Sequence, residues 1–180
     1  MQGWPRIVER KSTLVSPWME IITRQVQFAP GAELEAYYAI EQPAYLAAFA
    51  VTLEGYVVLV RQYRPAIERM SLELPAGLLE PNEEPSAAMA RELLEETGYP
   101  ARSIRLIGKT ATCSSRISND MYSFFIETGE RAQHFTEEPG ISVVCVTKSE
   151  LRELITSGDF GEQTHLGVLS LAIGQGLLSI

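Results

Sequence analysis

The stretch from Gly77 to Tyr99, GLLEPNEEPSAAMARELLEETGY, leaves its own conformation little choice. Pro85 suits a first helical turn, SAAMARELLEE is made largely of good helix formers, and Gly98 suits the left-handed residue just past a helix C-terminus. Residues three and four apart share a face, so Glu92 meets Glu95 and Glu96, while Ala87, Ala90 and Leu94 are expected to form the apolar stripe. Two carboxylates about 5.5 Å apart repel by roughly 3 kcal/mol at an effective dielectric of about 20. The negative end of the helix dipole adds to that cost. On a chain of formal net charge -8, something positive has to compensate. Arg91, four residues before Glu95, would do so on a solvated acidic face. A hard divalent cation, which prefers oxygen ligands and takes carboxylates together with substrate phosphates, is the second solution.

Composition narrows the classes. With 46% hydrophobic residues in 180, the chain can bury a core of ordinary size. A pI near 4.9 and the lack of any basic run argue against a nucleic-acid partner, which needs clustered Lys and Arg. Cys113 and Cys145 form no CxxC pair, so neither a disulfide framework nor a thiolate zinc site is expected, and a reducing cytoplasm is the expected location. MQGWPRIVERK lacks the apolar stretch of a signal peptide. No segment reaches the roughly 18 apolar residues of a membrane span, so no membrane partner is expected. LGVLSLAIGQGLL comes nearest and reads as a buried terminal helix.

Along the chain, RIVERKSTLV, WMEIITRQVQF and ELEAYYAI are strand-like, the last two separated by the turn signal APGA, and predict a small antiparallel sheet over residues 1–42. AYLAAFAVTL and GYVVLVRQY form a hairpin-like pair across Glu54 and Gly55 that opens a main domain over residues 43–180. SIRLIGKTAT, MYSFFIE and ISVVCVT supply further strands, and KSELRELITSG and the terminal segment read as helices. Strands mixed with two or three helices, without regular βα alternation, predict an α+β fold.

The spacing of Gly77, Glu83, Arg91, Glu92, Leu93, Glu95, Glu96, Gly98 and Tyr99 resembles, at every fixed position, the Nudix box of the pyrophosphate-hydrolysing Nudix superfamily. That resemblance implies a Nudix fold, a loop-helix-loop catalytic box against a mixed sheet lying between helices. It further implies Mg²⁺, with Mn²⁺ as a substitute, held by Glu92, Glu95, Glu96 and the backbone carbonyl of Ala76, with Arg91 and Glu83 orienting the glutamates. The charge problem is then answered by chemistry: a divalent cation neutralises both the acidic site and the anionic substrate, and an activated water attacks one phosphorus in line. The general base is expected from a box glutamate or from Glu137 or Glu138 in HFTEEPGISV.

Outside the box, the N-terminal sheet followed by VVLVRQYRPAIERMSLELPAG is similar to the ADP-ribose and nucleoside-diphosphate-sugar pyrophosphatase branch. By that similarity the protein is a homodimer in which the N-terminal sheet exchanges between subunits. Trp18 and Tyr37 are candidates to stack on the base, and Arg64 and Glu73 are expected near phosphates and metals. Many ADP-ribose hydrolases carry a proline where this chain has Ser114, within CSSRISND. Arg116 in that segment is a candidate contact to a sugar or terminal phosphate, which would suit a broader enzyme such as one for GDP-mannose. A nucleotide-triphosphate hydrolase is disfavoured by the N-terminal sheet and LPAG. A non-catalytic ADP-ribose sensor is disfavoured because every box glutamate is kept.

Overall fold

The computed structural model describes residues 3–180, which divide into two compact units. The first takes the chain up to Pro43 together with Ala111–Asp120, and the second takes Ala44–Thr110 and Met121–Ile180.

In the first unit β1 (Arg6–Ser16), β2 (Met19–Gln27) and β3 (Glu35–Glu41) form an antiparallel sheet in the order β1-β2-β3. The predicted N-terminal sheet is therefore present, and APGA makes the turn between β2 and β3 with Gly31 at φ 75°. Within the strands only Ile22 is buried, and β1 carries Ile7, Val8, Leu14 and Val15 exposed. The segment 113–118 is stitched to β3: Ile40 N–H donates to the Arg116 carbonyl at 2.7 Å and Ser118 N–H to the Ile40 carbonyl at 3.0 Å.

The second unit holds a seven-stranded mixed sheet. Its strands are β4 (Tyr45–Val51), β5 (Val57–Arg64), β6 (Arg69–Glu73), β7 (Ala76–Leu78), β8 (Ala101–Ala111), β9 (Asp120–Thr128) and β10 (Ile141–Val146). The main path runs β10-β5-β4-β9-β8, with β4 and β9 parallel. The predicted β4–β5 hairpin forms, with Gly55 at φ 90°, but pairs directly only at Ala50↔Val58 and Val51↔Val57. Beyond that point β5 turns to β6 and β4 to β7, two short strands the sequence patterning did not reveal.

Leu46 through Ala50 are wholly buried, which a strand achieves only when both sheet faces are covered. Alternation along β4 sorts them: Leu46, Ala48 and Ala50 pack with Ala88, Met89 and Leu93 of α1 (Pro85–Thr97). Ala47 and Phe49 join the opposite cluster, which includes Leu151 of α2 (Lys148–Ser157) and Val168, Leu169 and Ala172 of α3 (Gln163–Gly174). A mixed sheet between helices is the expected fold. The buried stripe of α1 differs from the expectation. It is Ala88, Met89, Leu93 and Thr97, whereas Ala87 and Leu94 are exposed and Ala90 is only half-buried. Both stripes obey the helical period, and the sheet selects the one bearing the larger Met89 and Leu93. Glu92 and Glu96 immediately precede Leu93 and Thr97, so they fall at the margin of the buried face.

Candidate active site

Helix α1 starts where Glu84 accepts hydrogen bonds from the backbone N–H groups of Ser86 and Ala87, with Pro85 at the first helical position. It stops at Gly98, φ 74°, whose N–H donates to the Leu94 carbonyl. Between these ends Arg91 answers the crowded carboxylates. Its Nε and Nη2 each donate to Glu83 at 3.0 Å, a two-pronged fork, while Nη1 donates to Glu92 at 2.9 Å and to Glu95 at 3.0 Å. These hydrogen bonds draw Glu83 below the usual carboxylate range and raise the Arg91 pKa.

One cation does not neutralise the site. Burial pushes the Glu92 carboxyl upward, and the charges of Glu95 and Glu83 add to the effect against the pull of Arg91. Glu96 turns away from Arg91 and accepts from the Ala76 N–H at 3.0 Å. Burial first, then the charge of Glu92, pushes it up to about 8. Gly77 makes room for this arrangement: a Cβ there would lie 2.2 Å from the Glu92 carboxyl carbon. Among the described residues no group of three or more His, Cys, Asp or Glu is placed to hold a metal ion. Arg91 ties Glu92 and Glu95 from one side, and Ala76 holds Glu96. The donor types nonetheless fit a hard divalent cation: Glu92, Glu95, Glu96 and the Ala76 carbonyl offer only oxygen, and two of the carboxyls are disfavoured as anions unless a positive charge joins them.

The other expected residues are distributed as follows. Arg64 on β5 forks onto Glu73 on β6, with Nε donating at 2.9 Å to one carboxylate oxygen and Nη2 to the other. Glu73 is 2% exposed, and although burial opposes its ionisation, Arg64 and Ser71 outweigh it and lower the pKa. Arg64 also acts on Glu96 electrostatically, so the β5–β6 pair and α1 share one charge environment. Glu137 accepts from the Val143 N–H at 3.1 Å and from Arg131 at 3.3 Å, whereas the exposed Glu138 side chain has no partner among the described residues.

Trp18, Tyr37 and Arg116 belong to the other unit. Tyr37 and Arg116 line one groove of about 340 Å³; Trp18, 60% exposed at the turn into β2, does not line it. Sequence reasoning overlooked Arg24, which lines the same groove and has no acidic partner among the described residues. Register could have found it, because Arg24 lies directly opposite Tyr37 across the β2–β3 ladder. It also overlooked the buried His165 on α3 and its half-buried neighbour Tyr45 on β4, which no local motif announces.

Known proteins resemble this chain in sequence and fold. The NUDIX domain profile matches residues 43–161. An ADP-ribose pyrophosphatase of Bacillus subtilis is 32% identical over 131 residues, 71% of each chain. A GDP-mannose pyrophosphatase of Klebsiella pneumoniae is 29% identical over 134 residues, 68% of this chain and 67% of that one. The crystal structure of an ADP compounds hydrolase superposes with a TM-score of 0.79 over 99% of both chains at 22% identity, which establishes a shared fold. With a family match spanning the glutamate helix, its glycines and the whole mixed sheet, the chain belongs to the NUDIX domain family.

Proposed function

We propose that the protein is a divalent-cation-dependent pyrophosphatase that cleaves ADP-ribose or a related nucleoside diphosphate sugar into a nucleoside monophosphate and a sugar phosphate. The observation that carries this reading is the surplus of carboxylates around Arg91, with Glu96 held near pKa 8 on the Ala76 amide. Such a face gains most from a bound cation that brings phosphate with it. Mg²⁺, or Mn²⁺ in its place, supplies charge neutralisation and an acidified water when bound by Glu92, Glu95, Glu96 and the Ala76 carbonyl. Arg91 holds Glu92 and Glu95 in register, and Glu83 fixes Arg91. Glu138, an acid free to reach a water, is the preferred base over Glu137, which is committed to Arg131 and Val143.

In the first unit, Tyr37 supplies an aromatic face, and Arg24 and Arg116 supply positive charge free of acidic lining residues, a combination that suits a nucleotide's base and phosphates. This cationic groove also favours the second reading, a broad or GDP-mannose-type nucleotide-sugar specificity. Trp18 remains a candidate base contact. The bare apolar surface of β1 supports a homodimer formed through this unit. No described helix is long and apolar enough to cross a membrane, and two free cysteines suit a reducing cytoplasm.

The deciding experiment is a product assay with Mg²⁺ on ADP-ribose, GDP-mannose, UDP-glucose, dinucleoside polyphosphates and nucleoside triphosphates. Turnover of the sugar nucleotides ahead of the others is expected. Binding of ADP-ribose without cleavage of any substrate would make the protein a sensor. Light scattering on the size-exclusion peak should give the mass of two chains, and a monomer at working concentration would remove the dimer.

A further inference from the structure

The chemistry outlined above leaves one buried imidazole unused. His165, in the first turn of α3, is fully enclosed. The Leu74 N–H donates to its Nδ1 at 3.1 Å, so Nδ1 carries a lone pair and the ring proton sits on Nε2, 3.2 Å from the Tyr45 hydroxyl. The Tyr45 ring stacks parallel to the imidazole with centroids 6.0 Å apart. The ring is therefore neutral, in keeping with burial that holds its pKa below the ordinary value. The Glu162 carboxylate, which caps α3 by accepting the His165 amide at 2.8 Å, lies 4.0 Å from Nδ1, where the neutral ring offers it no charge to pair with.

What His165 holds is the short connection between β6 and β7. Pro75 has no N–H, so Leu74 and Ala76 carry the only amides there, and side chains satisfy both: Leu74 donates to His165 and Ala76 to Glu96. The carbonyl between them, that of Pro75, accepts from Ala48 N–H at 3.0 Å. Three consecutive residues are thus pinned at three points, one of them the carboxylate of the glutamate helix. An apolar side chain at 165 would fill the same space and leave the Leu74 N–H buried and unpaired, a state a backbone escapes by moving.

We propose that His165 is a positioning residue of the active site: by accepting from Leu74 N–H, with its tautomer set by Tyr45, it fixes the Leu74–Ala76 backbone and through the Ala76 amide the carboxylate of Glu96. The inference rests on Glu96 being part of the catalytic face.

Two carboxamides separate position from bulk. His165→Asn places its oxygen where Nδ1 stands and keeps the Leu74 bond, whereas His165→Gln reaches the Nε2 position and leaves Leu74 N–H unpaired. With the preferred sugar nucleotide, His165→Asn should retain kcat within about threefold, while His165→Gln should lose about 10- to 100-fold in kcat with KM nearly unchanged. Amide exchange read by NMR gives a readout independent of turnover: Leu74 and Ala76 should be protected in the metal-free wild type and in His165→Asn, and should exchange at least about tenfold faster in His165→Gln. Equal kcat in the two variants overturns the proposal, as does unchanged exchange at Ala76. If neither variant folds, fast exchange at Leu74 and Ala76 in the wild type still overturns it and slow exchange supports it. A wild type that cleaves no nucleotide would sink the catalytic reading, while the exchange data would still report on the pinning itself.

Discussion

Replacing Glu96 by Gln should make the metal-free protein more stable and the enzyme nearly inactive. Gln keeps the shape and an oxygen for the Ala76 N–H, and removes only the ability to ionise. In the wild type the folded-state pKa is about 8 against an ordinary 4.5. The sign follows from linkage: a raised folded-state pKa means that the fold binds this proton more tightly than the unfolded chain, so stability is lost as pH rises from 4.5 through about 8. At pH 7 the shift corresponds to about 3 kcal/mol relative to a neutral isostere, reduced to about 2 kcal/mol by the solvent that still reaches a half-buried group. Denaturant unfolding with a chelator present should show no stability gap between the two proteins near pH 4.5, a gap of about 2 kcal/mol at pH 7 and a plateau above pH 8. Saturating Mg²⁺ should stabilise the wild type by about 2.7 kcal/mol at a hundredfold excess over Kd, and Glu96→Gln by much less. Turnover of the variant should fall on the order of 10³-fold, about 4 kcal/mol of barrier. A gap that does not widen with pH, or a variant less stable than the wild type at pH 8, would refute the claim that Glu96 is held under electrostatic strain.

Four further substitutions probe the same site. Gly77→Ala drives a methyl into the Glu92 carboxyl group, a flexible end that can swing away, so unfolding should change by less than about 1 kcal/mol while kcat falls by about 10- to 100-fold. Arg91→Lys keeps the charge but cannot fork onto Glu83 while reaching Glu92 and Glu95, and should lower kcat/KM by about 10- to 100-fold, measured with Mg²⁺ saturating. Glu138→Gln should lower kcat by about 10²–10⁴-fold at an unchanged KM, and Glu137→Gln should leave kcat within a few-fold of the wild type. The reverse pattern would exchange the two roles.

The glutamate helix was legible because its information is local and redundant. Pro85, Gly98 and the 3.6-residue period each speak to the same turns, and the box spacing extends over the whole loop-helix-loop. Which face of that helix is buried was not legible, because Ala87/Ala90/Leu94 and Ala88/Met89/Leu93 fit the period equally well and only the sheet decides between them. The displaced stripe has a functional consequence. With Leu93 and Thr97 against the sheet, Glu92 and Glu96 are carried to the edge of the core, where burial raises their pKa, and Glu95 is left 54% exposed on the Arg91 side. Had Leu94 been the buried residue, Glu95 would flank the core instead and Glu96 could not reach the Ala76 amide by the same route. The strands β6 and β7 escaped notice for a related reason. Each is five residues or fewer, and their sequence SLELPAG alternates too briefly around Pro75 to announce a strand. Their placement depends on partners remote in sequence, Ala47 and Ala48 in β4 and His165 in α3. A box motif can therefore specify which acids gather on one helix face, whereas the environment that raises the pKa of one of them far above the ordinary carboxylate range is assembled by residues that carry no motif.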